Sequence, residues 1–235
     1  MYARQLDDQT LSFGVSGMLL RDSLVMYDRQ TQSLWTQVDG LGIRGPLKDA
    51  TLSIVPAIHT TWKAWKRLYP DSTVLRKTRA GGSQHGTYNR DRNTLGILGR
   101  KNLDDRLGGK DRILGVRQGD AATVFLVEDV QKAGLVEATV GELLVVLASV
   151  STDDPVQAYD RRVSGRSLSF ALVDTNTDEP PLRDTETGTT WRLADGVATQ
   201  GLLEGQRLTR VAAHSAFWFG WQGFFPHSEV WEAEP

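Results

Sequence analysis

The 235-residue chain has no cysteine. That excludes a disulfide staple, a thiolate metal site and a thiol nucleophile within it. It has four histidines, none in a His-x-x-x-His pair, which argues against zinc; no metal site and no cofactor is expected. No apolar run approaches the roughly 20 residues that span a bilayer. The opening Met1-Tyr2-Ala3-Arg4-Gln5-Leu6-Asp7-Asp8 lacks the apolar stretch of a signal peptide. The formal net charge of −2 gives no electrostatic case for a nucleic-acid partner or an anionic membrane. The identity of any small-molecule ligand is left open by composition.

Tryptophan is what the chain does have. Six of its seven fall into three pairs 156 residues apart: Trp35 and Trp191, Trp62 and Trp218, Trp65 and Trp221. Without gaps, residues 28–74 and 184–230 agree at 15 of 47 positions. These include Asp28/Asp184, Thr31/Thr187, Gly40/Gly196, Gly45/Gly201, Pro70/Pro226 and Ser72/Ser228. Upstream the match continues at a spacing of 157, through Tyr2/Tyr159, Arg4/Arg161 and Leu11-Ser12-Phe13/Leu168-Ser169-Phe170. Such self-similarity implies an internal duplication, and a period this long is neither a solenoid nor a propeller period. The expected organisation is a first repeat over 1–75, an inter-repeat loop over 76–112 and a second repeat over 113–235. The second copy reaches further upstream, to Ile113, so the first is expected to begin in its middle.

Local patterns predict mostly strands. Thr10–Val15 and Ser23–Tyr27 are short apolar or alternating segments, and Asp28–Ser33 has hairpin-turn chemistry, as has Asp184–Gly188. Thr60 or Thr61 can cap a helix that Pro70 stops, with Trp62, Trp65 and Tyr69 on one face. Ala216–Phe225 is apolar nearly all round and predicts a buried helix. Ile113–Arg117 and Ala122–Val127 read as a strand pair. Glu128–Ala133 reads as a short helix ending at Gly134, and Leu143–Ala148 as a central strand. The expected fold class is α+β: mainly antiparallel β, in two pseudo-symmetric fused repeats, each with one Trp-rich helix. Residues 76–112, with 10 Lys/Arg, 4 Asp and 7 Gly, lack the apolar content for a core and read as a surface loop.

Few residues carry chemistry. Asp28, Arg29 and His59 are the catalytic candidates, His59 as a base and Asp28 as its orienter if the fold brings them together. Trp35, Trp191 and His214 are the ligand-binding candidates. The structural readings weigh more: a turn docking a core tryptophan, and histidines bonding the free amides of a helix start. Gly14-Val15-Ser16-Gly17 has its second glycine one position too early for a nucleophile elbow and reads as a turn or bulge. Gly81–Gly86 lies among arginines and could hold an anion, although it has no Walker pattern. The acidic pairs Asp104-Asp105 and Asp153-Asp154 read as solvated loop carboxylates.

Several segments together resemble one family in the expected order: Leu11–Gly17, Met26–Trp35, Gly45-Pro46-Leu47, His59–Trp62, Ile113–Val116, Tyr159-Asp160-Arg161 and Ala216–Trp221. That family is the bacterial and archaeal domain-of-unknown-function 3179 family. The resemblance implies no activity. It implies export or envelope association, since members commonly carry an export signal or lipid anchor. Members also commonly have a Cys-Pro-x-Cys element just upstream of where this chain begins, and the chain is expected to be a shortened member. Two functions remain: a non-catalytic binding or scaffold module of the cell envelope, or a hydrolase or metal-assisted enzyme with its site at the repeat junction.

Overall fold

The computed structural model describes residues 1–75, 88, 91–92, 94–96, 99, 104–150, 154–173 and 181–233. The anion-loop candidate Gly81–Gly86, with His85, and Asp153 of the last acidic pair lie outside the described residues. The fold is α+β and mostly antiparallel sheet; among the described strand pairings, only Glu229–Val230 against Ala121–Leu126 is parallel. Three short helices are described: α1 (Trp62–Leu68), α2 (Val127–Ala133) and α3 (Trp218–Gln222). None of them is long and apolar enough to cross a membrane. The chain forms two compact units. The first gathers described residues of Met1–Ala57, Gln84–Asp111 and Ala216–Ser228; the second gathers those of Ile58–Ser83, Arg112–Ser215 and Glu229–Pro235.

The first unit is built on a four-stranded antiparallel meander: Phe13–Leu20, Ser23–Asp28, Leu34–Thr36 and Gly42–Arg44. Its small core holds Leu11, Trp35 and Leu52, with Phe13, Met26, Leu47 and Tyr2 packed around them. The Phe13–Leu20 strand is longer than its sequence pattern predicts and slips register between Val15 and Leu19. At the slip, the Ser16 hydroxyl donates to the Val25 carbonyl (2.6 Å) and accepts from the Met18 amide (3.1 Å), so Gly14–Gly17 is a bulge. Helix α3 belongs to this unit. The predicted helix from Ala216 does not form as a whole: Ala213–Phe217 is a strand, and the helix starts at Trp218. The reason lies in the backbone, where the Trp218 amide donates to the Asp111 carbonyl and the Phe219 amide to the Gly109 carbonyl. Those bonds satisfy two of the amides that a helix start leaves free.

In the second unit, an antiparallel sheet runs in the order Gln157–Asp160, Leu143–Ala148, Leu135–Val140, with Leu143–Ala148 in the middle. One face of it packs Val146, Ala148 and Tyr159 against a meander of Phe170–Leu172, Leu182–Asp184, Thr190–Trp191 and Ala198–Gln200. The other face packs Val136, Val140, Val145 and Leu147 against Leu114, Val116, Phe125 and the Val127 and Val130 side chains of α2. Alternation of side chains across a strand lets one sheet serve two cores. Helix α1 belongs to this unit. The Thr61 hydroxyl caps it by accepting the Ala64 amide (3.2 Å), and it ends ahead of Pro70. Its buried residue is Ala64; Trp62 stays 50% exposed, so the expected Trp62–Trp65–Tyr69 face is not the packed one.

Candidate functional site

The hairpin that places Asp28 is organised around its carboxylate. Asp28 is fully buried, and accepts the Thr31 amide and hydroxyl, the Ser33 amide (3.2 Å) and the Trp35 indole N–H (2.9 Å). Burial works against its ionisation, but these donors outweigh that and hold its pKa below the ordinary aspartate value. The Thr31 and Ser33 hydroxyls bond each other (2.6 Å), and the Ser33 hydroxyl accepts the Leu47 amide (3.0 Å). Gly45 closes the set. Its φ is +98°, and a Cβ there would come within 2.8 Å of the Ser33 backbone, so only glycine fits without displacement.

The Asp184 hairpin repeats these contacts. Asp184 is 1% exposed and accepts the Thr187 amide (2.6 Å), the Thr187 hydroxyl and the Trp191 indole (2.9 Å). Burial again opposes ionisation, and the same kinds of donor again hold the pKa low. Thr187 and Thr189 hydroxyls bond at 2.6 Å, and Thr189 accepts the Leu203 amide (3.2 Å). Gly201, at φ +113°, lies 2.8 Å from the Thr189 backbone by the same measure. Trp35 meets Phe13 edge-on at 6.0 Å, and Trp191 meets Phe170 likewise at 6.2 Å. Both tryptophans have zero exposure, which leaves neither ring face open to stack on a ligand.

The other candidates lie elsewhere. Arg29 donates to the Tyr27 hydroxyl (3.0 Å), with its guanidinium 5.5 Å from that ring, on an open groove also lined by Val15, Gln32 and Leu34. His59 is exposed, and its Nδ1 lies 3.2 Å from the Ser215 Oγ. No hydrogen bond joins His59 to a carboxylate among the described residues. His214 is half-buried, and burial pushes its pKa below the ordinary histidine value. Asp104 is no free loop carboxylate: the Arg106 guanidinium clasps it and, with the opposing effect of partial burial outweighed, holds its pKa down. Among the described residues no group of three His, Asp or Glu side chains converges as a metal-binding set.

Three arrangements were not read from the sequence. Arg67 of α1 pairs with the buried Asp154 beside a small cavity lined by Leu68, Gln157 and Leu193, with room for about one water. Their separation of 87 positions leaves no local signal. The partner of His59 had a signal, since Ser215 is the residue 156 positions on. Finally, Glu137 in the Leu135–Val140 strand accepts the Phe170 amide (2.6 Å) and pairs with Arg161 (3.0 Å). Arg161, the counterpart of Arg4, also donates to the Leu168 carbonyl (2.7 Å).

Residues 1–228 match the family described as Protein of unknown function (DUF3179), and the chain belongs to that family. Comparison with curated proteins finds no match, and comparison with solved structures finds none.

Proposed function

We propose that the chain is a non-catalytic binding or scaffold module of the cell envelope, built from two copies of one β unit. One observation carries the non-catalytic part. The two aspartates that the repeat sets beside tryptophan are spent on their own hairpins, with the same donors in both places. A carboxylate buried under four donors is neither a base nor a nucleophile for a bound substrate. The matched sets around Asp28 and Asp184, Gly45 and Gly201, and Trp35 and Trp191 support two pseudo-symmetric repeats over 1–75 and 113–235. The Trp65 indole donates to Ser72 (2.9 Å) and the Trp221 indole to Ser228 (2.8 Å), which extends the match to the helices. Placement at the envelope follows the family resemblance. The experiment is a screen of the purified chain against ester, amide, phosphoester and glycoside substrates, with and without added divalent metals. No turnover above the blank is the expected outcome; turnover that a single substitution abolishes would overturn the reading.

A second reading, a hydrolase, is favoured by one contact, the His59 Nδ1 facing the Ser215 Oγ at 3.2 Å. A base within hydrogen-bond reach of a hydroxyl is the start of a nucleophilic pair. A fluorophosphonate probe that labels the chain at Ser215, and fails on Ser215→Ala and on His59→Ala, would establish it.

A further inference from the structure

Asp154 is a buried carboxylate that its surroundings hold in place. It is 6% exposed. Its backbone carbonyl accepts the Gln131 side chain from α2 (3.0 Å) and the Ser149 hydroxyl (3.3 Å). Val150, Pro155 and Leu193 give the adjoining cavity an apolar wall. That wall is pinned too: the Tyr159 hydroxyl donates to the Leu193 carbonyl (2.7 Å), and Arg210 donates to the carbonyl of Ala194 (2.8 Å). A buried acid between fixed apolar walls needs a paired cation, because an uncompensated buried charge is costly.

A lightly held segment supplies that cation. Arg67 of α1 makes the pair, and its side chain is 36% exposed. Over residues 58–75, Ala64 is the one buried residue. A segment with so little buried surface opens more readily than the core sheets do. The residue 156 positions on from Arg67 is Gly223, so the other tryptophan helix forms without such an arginine. With Arg67 in place the cavity holds about one water, so a larger ligand must take the arginine's own position. An anion is unsuited to that, since it would strip the buried Asp154 of its paired cation. A cation exchanges one positive group for another.

We propose that the Asp154 cavity is a binding site for a guanidinium group on an alkyl stem, and that Arg67 occupies it in cis until such a ligand displaces it. The group already seated there sets the occupant's chemistry. A planar guanidinium meets a carboxylate with parallel N–H donors, and Val150, Pro155 and Leu193 suit the methylenes behind it. Displacement of Arg67 releases α1, which couples the ligand to the position of that helix. This rests on the binding-module reading and gives the module a ligand class.

The test uses the full chain with butylguanidinium, and with butylurea as its uncharged isostere. Isothermal titration calorimetry should show saturable binding of butylguanidinium to the unaltered chain, and none of butylurea. Arg67→Ala removes the internal competitor and should tighten binding about tenfold or more. Asp154→Asn should abolish it. Circular dichroism checks that both variants fold, and the comparison with butylurea needs neither. On saturation of the unaltered chain, amide hydrogen exchange over 62–68 should speed up severalfold, whereas that over 143–148 should not change. No binding to the unaltered chain would overturn the proposal, even if Arg67→Ala binds, since the substitution would then have made the cavity it fills. Equal binding of butylurea, or binding without faster exchange over 62–68, would overturn it too. An acetylated Gly-Arg-Gly amide that binds more tightly than butylguanidinium assigns the site to an arginine of a polypeptide; weaker binding assigns it to a free alkylguanidine. A failed titration leaves the substrate screen untouched, so the two conclusions fail separately.

Discussion

Asp28 and Asp184 sit in hairpins with nearly the same hydrogen bonds, yet among the described residues the second shares a core with a neighbouring sheet and the first does not. The Asp184 hairpin shares a core with Val146, Ala148 and Tyr159. The Asp28 hairpin closes a core of three fully buried side chains and leaves Val15 in solvent. The comparison separates two sources of order. The aspartate, two hydroxyls, a tryptophan and one glycine specify the turn from within, whatever packs above it. Burial of the sheet face comes from outside and is optional to the turn. A hairpin satisfied internally can thus keep its shape without that neighbouring sheet.

The largest effect should come from the paired tryptophans of the helices. Trp218 is fully buried and donates to the Asp104 carbonyl (2.9 Å), with Arg106 5.3 Å over its ring. Its replacement by alanine should cost about 4 kcal/mol, against less than about 1 kcal/mol for Trp62→Ala, by analogy with buried and exposed truncations. Urea denaturation followed by circular dichroism would measure both, and equal losses would break the contrast.

The aspartates come next. Asp28→Ala and Asp184→Ala each strand a buried indole N–H and a hydroxyl pair, so each should cost about 2–4 kcal/mol. Near equality would sharpen the claim that the turn is self-sufficient; a far larger loss at Asp184 would assign its order to the neighbouring sheet. Acid tests the same point. A carboxylate whose folded pKa lies below its unfolded value adds stability above the unfolded value and loses it as pH falls through the folded one. Both aspartates are of that kind, so stability should fall below about pH 4. The doubly substituted Asp28→Asn, Asp184→Asn chain should show a shallower decline between pH 4 and pH 2, to within about one unit. An unchanged slope would mean that other carboxylates set the acid limit.

The smallest effect tests the neighbouring sheet directly. Val15→Asp should change stability by less than about 0.5 kcal/mol, the scale of exposed substitutions. Leu172→Asp, at the covered counterpart, should cost about 2 kcal/mol or more, because it puts a charge against the Val146–Leu182 core. Similar values would mean that the two faces do not differ.

Much of this was legible in the sequence, and for local reasons. Asp-x-x-Thr-x-x-x-Trp is a contact list written in order, since every partner of Asp28 lies within seven residues of it. The strand pair around Gly119, helix α2 and the central Leu143–Ala148 strand follow from short-range patterning. What was not legible depends on distant partners. Burial of Trp218 was legible from its apolar segment, but the 50% exposure of Trp62, placed with Trp65 and Tyr69 on one expected face, was not. Ala216 and Phe217 have helical composition but are drawn into a strand, and carbonyls near position 110 take the first amides of α3.

The division of helices between the units has a consequence for time. The first unit takes α3 from residues 216–228, although its meander is finished by residue 57. A ribosome adds roughly 5–20 residues per second, so that meander emerges and then waits about 10–30 s for its helix. During that interval the meander lacks the residues 216–228 that complete its unit, and it should be open to proteolysis. Nascent chains arrested at residue 215 should be cut within the first 57 residues by a protease that spares the released protein. Equal resistance before and after release would show that the meander stands alone.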